Sequence, residues 1–156
     1  MVFQHVGADE QRLVESTVDD TSTIRNYCSF LLDGLKGFFD QSHIRVKFDV
    51  SFTFDEKLVS AISTPFGDAR GRLVIQIVGG EILGRYVFEK NTVSELGQDA
   101  WIPVWAIRVS RYGNVFLGDE GSIEIDVQSR DPHRGAMNTA GRSLLYSIGA
   151  TPTFAK

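Results

Sequence analysis

Cysteine is nearly absent: Cys28 stands alone among 156 residues. One thiol excludes an intramolecular disulfide framework and any cysteine-cluster metal site. It fits a reducing compartment, and a cytoplasmic location is expected. Histidine is scarce too. His5, His43 and His133 lie far apart and form neither a His-x₃-His nor a His-Glu-x-x-His pair, so no metal site is legible. No apolar run approaches the roughly 20 residues of a membrane span. The opening Met-Val-Phe-Gln-His-Val lacks the basic and apolar regions of a signal peptide. There is no Gly-x-Ser-x-Gly elbow and no glycine-rich loop ending in Gly-Lys-Ser/Thr, and no helix follows Gly113, Gly118 or Gly121. Repeats, low-complexity tracts and linkers are missing as well.

What is present is an ordinary globular composition. Hydrophobic residues make up 42% and charged residues 23% of the chain, which excludes whole-chain disorder. The length predicts a single domain over 1–156. The formal net charge of −4 argues against general nucleic-acid binding. That charge is unevenly placed. Residues 1–42 hold seven acids against three bases, whereas residues 43–156 hold thirteen of each.

Residues 9–20 read as a short helix. The run Asp19-Asp20-Thr21-Ser22-Thr23 then supplies caps for a second helix, unless one kinked helix continues through it. Ile24, Tyr27, Cys28, Leu31, Leu35 and Phe38 recur at steps of three and four and define one helical face. Residues 44–54 alternate strictly between apolar and polar, which predicts a long strand with one dry face. Leu73–Val78, Gly79-Gly80 and Glu81–Glu89 read as a hairpin. Trp101–Val109 reads as a strand that starts late or lies at an edge around Pro103, because proline cannot donate to a ladder. Val115–Leu117 and Ser122–Val127 follow as short strands. Asp131-Pro132 predicts a helix start, and Gly149 with Pro152 its end.

The expected fold is α+β: an antiparallel sheet of five to six strands, preceded by two N-terminal helices and followed by one C-terminal helix. With a first strand at Met1–Val6, the order is similar to the helix-grip arrangement of lipid- and hormone-binding domains. That resemblance implies a curved sheet around the C-terminal helix and a cavity between them.

Four groups of side chains are candidates for function. Asp9, Glu15 and Asp19 mark the acidic N-terminal segment as a surface for a basic partner. Tyr86, Trp105 and Arg108, with Arg85 nearby, would line a pocket for a small apolar or anionic ligand. Arg130, His133 and Arg134 sit at a predicted helix start, where free N–H groups favour anions. Asp119, Glu120, Glu124 and Asp126 form the densest carboxylate group, which reads as a solvated hairpin tip rather than a metal site. Cys28 lies on the apolar helix face and reads as a packing residue.

No catalytic residue and no cofactor is expected from these patterns. The leading expectation is a non-enzymatic interaction protein whose acidic helical surface docks a basic protein, as immunity proteins and secretion chaperones do. A small-molecule-binding domain or enzyme, with its pocket between sheet and C-terminal helix, is the alternative. A structural subunit of an assembly is the third. Neither nucleic acid nor a membrane is expected as a partner.

Overall fold

The computed structural model describes residues 1–119, 123–127 and 133–152. Its elements run α1 (Ala8–Asp40), α2 (Ser42–Phe48), β1 (Ser51–Phe54), β2 (Ser60–Thr64), β3 (Gly67–Val78), β4 (Glu81–Val93), β5 (Asp99–Ser110), β6 (Asn114–Leu117), β7 (Ile123–Asp126) and α3 (Arg134–Ala150). The seven strands form one antiparallel sheet in sequence order, each paired with its predecessor. The α+β class therefore stands, with more strands than expected. Residues 1–7 form no strand, so the helix-grip order loses its first element. Among the described residues, no helix is long and apolar enough to cross a membrane.

The two N-terminal helices are one. α1 runs for 33 residues, about 50 Å at 1.5 Å per residue. Its hydroxyls bond backwards instead of capping. Thr17 Oγ1 donates to the Leu13 carbonyl (2.8 Å), and Thr21 Oγ1 to that of Val18 (2.7 Å). A side chain satisfied by the preceding turn offers no competing cap, so the helix continues.

The predicted strand over 44–54 is overturned in its first half, which forms α2. A period of two also places Ile44 and Phe48 four residues apart, on one helical face. Ile44 is buried and Phe48 half-buried, while Val46 between them is 85% exposed. Asp49 closes α2 in the left-handed region at φ 50°. Only Ser51–Phe54, β1, keeps the predicted strand.

The β1–β2 turn is built on Asp55, whose carboxylate accepts the N–H groups of Lys57 and Val59. The β3–β4 hairpin turns at Gly79-Gly80 as predicted, with φ of 60° and 80°. Register shifts at Phe88/Glu89, where Trp105 and Pro103 are the paired residues and Val104 is extra. β6 pairs with β5 only over Ile107–Val109, so Pro103 does lie where β5 has a single neighbour.

One face of the sheet is dry. Along β4, Ile82, Gly84, Tyr86, Phe88, Lys90 and Thr92 are buried, while the residues between them are half-exposed. α1 and α3 cover this face. Cys28, Leu31, Leu35 and Phe39 of α1 join Met137, Leu144 and Ile148 of α3 in one core with Phe52, Phe88 and Val109. The helices meet through glycine on each side. A Cβ at Gly34 would strike the Met137 side chain, and a Cβ at Gly141 would strike the Phe38 ring. Gly37, by contrast, has nothing within 4 Å of a built Cβ.

The same substitution therefore has opposite signs at two helical glycines. Gly141→Ala should cost about 1–3 kcal/mol by overpacking. Gly37→Ala should gain up to about 1 kcal/mol of helix propensity. Urea unfolding of both variants measures this, and shifts of the same sign would contradict the glycine-mediated crossing.

Candidate functional site

The pocket trio does not converge. Tyr86 and Trp105 face the helices, whereas Arg108 lies on the outer face with Arg85, its cross-strand partner. Tyr86 is 1% exposed, and its hydroxyl donates to the Leu58 carbonyl and lies 2.7 Å from Ser60 Oγ. Burial pushes the phenol pKa up. Trp105 donates its indole N–H to Ser143 Oγ at 3.0 Å and packs on Phe88. Between these residues and α3 the space is filled, since Phe88, Leu144 and Ile148 are all 0% exposed. The polar tips of Tyr86 and Trp105 find internal partners, which is what a packed core requires.

On the outer face, Arg108 donates to the Gly118 carbonyl at 2.9 Å and stacks on Phe116. Arg85 grips Asp119 with two 2.9 Å hydrogen bonds, which hold that carboxyl below its usual range. Asp119 is thereby committed to an arginine. Glu120 and the Glu124 side chain lie outside the described residues. Among the described residues no group of His, Cys, Asp or Glu could hold a metal ion.

The predicted anion site is only partly in view. Arg130 and the Asp131-Pro132 start lie outside the described residues. Within them α3 begins at Arg134, and His133 in the left-handed region is its N-cap, in place of the predicted Asp131. His133 Nε2 sits 2.9 Å from the Asp126 carbonyl, and its ring meets Phe30 edge-on. Arg134 is exposed on the first turn. Cys28 is 1% exposed and burial raises its pKa to about 12, so the thiol is held inert.

The acidic segment is differently placed. Residues 8–16 are helical yet exposed throughout, with only Leu13 half-covered. Asp9, Glu15 and Asp19 all project from this end of α1. Asp9 faces Arg12 at 3.8 Å, and Asp20 faces Arg111 at 3.5 Å. Val14 and Val18 remain 48% and 59% exposed beside the acids. Burial begins at Thr17, Asp20 then reaches Arg111, and Ile24 lies over Gly84. The result is a negatively charged helical prong anchored at one end.

Lys90 escaped the sequence reading. It is 2% exposed, and its ammonium donates to the carbonyls of Ile148 (2.7 Å) and Thr151 (2.6 Å) at the end of α3. That helix has no basic residue in its own last turn, so β4 supplies the cation that its dipole favours. The signal was available, because even-numbered β4 positions point inward and 90 continues the series.

Burial lowers the Lys90 pKa below 10.5. Just under that value the unfolded chain binds the proton more tightly than the folded one, so this residue makes stability rise with pH. Lys90→Met should remove that rise. Urea midpoints across the alkaline range test it, and a wild-type advantage that shrinks with rising pH would contradict it. No protein family, curated protein or solved structure matches this chain.

Proposed function

We propose that this chain is a binding protein whose N-terminal helix end docks a basic protein partner. The observation that carries the reading is the exposure of residues 8–16, a helical stretch in which, among the described residues, only Leu13 is half-covered. Short helices without packing are marginal in water. Here the anchored part of α1 templates the free turns, which reduces the ordering a partner must impose.

The side chains favour the same reading. Val14 and Val18 are four residues apart and form a narrow apolar stripe. Glu15 and Asp19 flank it, also four apart, although such like-charge pairs cost a helix about 0.2–0.5 kcal/mol. A basic groove would relieve that repulsion and cover the valines, the helix-in-groove mode of recognition. Attraction between opposite charges would also speed encounter and weaken with salt.

The test uses a synthetic Lys/Leu amphipathic helical peptide and two triple variants of equal net charge. Asp9→Lys/Glu15→Lys/Asp19→Lys should weaken peptide binding at least tenfold. Glu56→Lys/Glu81→Lys/Glu95→Lys, at exposed sites elsewhere, should change it far less. Equal losses in both variants, or affinity indifferent to added salt, would remove this reading.

A further inference from the structure

A second surface feature lies away from the acidic prong. The end of α2, the β2–β3 turn and α3 enclose a cleft of about 330 Å³. Its floor is Leu145, and its walls are Phe48, Phe66 and Tyr146. Lys47 and Arg142 stand at its rim, and no acidic residue lines it.

The cleft is held in shape. Thr64 Oγ1 donates to the Gly67 carbonyl at 2.7 Å and accepts the Phe66 N–H at 3.1 Å, which fixes the turn. The Phe66 ring then lies on α3 at Gly149, where a Cβ would sit 3.2 Å from it. Despite this, Phe66 is 54% and Tyr146 77% exposed. Two large aromatic rings are thus left uncovered, and the turn fixes one of them, Phe66.

The charges are unbalanced. The Lys47 ammonium lies 5.6 Å from the Phe48 ring centre, and the Arg142 guanidinium 5.3 Å from the same ring. Arg142 is further oriented by the Asn138 side-chain oxygen, a neutral acceptor. No carboxylate comes within 4.0 Å of either cation among the described residues. Two cations are thus held at one aromatic ring, and an anion bound at this rim would be attracted by both.

We propose that this cleft binds a small amphipathic anion, specifically a free medium-chain carboxylate. Its apolar chain would lie on Leu145 between Phe66 and Tyr146, and its carboxylate between Lys47 and Arg142. The volume is at the small end of the ~300–1,000 Å³ typical of ligand clefts, which favours a medium chain over a long one. The site is independent of the prong, so either can fail without the other.

The experiment is calorimetric titration of the full chain with octanoate, 1-octanol and octylammonium. Octanoate should saturate at one equivalent, octanol should bind at least tenfold more weakly, and octylammonium should not bind. Lys47→Gln/Arg142→Gln should weaken octanoate at least tenfold. Both residues are exposed, so the variant should keep its melting temperature, which circular dichroism checks. Octanoate that fails to saturate, octanol that binds equally well, or a folded double variant with undiminished affinity would each overturn the proposal.

Discussion

Everything in this molecule depends on covering the dry face of one sheet. A meander of seven strands has two free ends and cannot bury its own apolar side. The buried stripe of α1 and the packed face of α3 do that work together. β4 meets both helices: Ile24 of α1 lies over Gly84, and Lys90 reaches the carbonyls that end α3. Glycine at 34 and 141 brings the two helices close enough for the core to close. The same constraint explains why the polar tips of Tyr86 and Trp105 end on internal partners, since the face they point to is already occupied by helix.

The parts of the fold legible in sequence are those with one periodicity and one reading. The stripe from Ile24 to Phe38 has helical spacing only, and the turn at Gly79-Gly80 offers left-handed backbone where a hairpin needs it. Illegible parts have two readings. Ile44 and Phe48 satisfy a period of two and a step of four at once, and only tertiary packing decides between them. Thr17 and Thr21 are capping residues by type, but their hydroxyls found carbonyls one turn back. β2 is illegible because Ile62 is its one large apolar residue, among serine, alanine and threonine.

The candidate sites divide the same way. The acidic segment was visible as composition, because charge counts need no geometry. Its freedom from the body was not, because the exposure of residues 8–16 depends on where the sheet stops. The cleft beside α3 was invisible. Lys47, Phe66 and Arg142 come from two helices and a turn far apart in sequence, and the alternation around Lys47 predicts a strand. Charge is thereby segregated on the surface, with a negative helix end at one place and a cleft rimmed by Lys47 and Arg142 at another.

The central claim is that α1 is anchored in the core over most of its length and exposed over residues 8–16. Native-state hydrogen exchange, resolved by residue along α1, tests it most directly. Amides over 24–39 should be protected close to the global unfolding limit. Protection should fall steeply toward the N-terminus and be slight over 8–16. Uniform protection along all 33 residues would contradict the account, because it would mean that the first turns are held as firmly as the core.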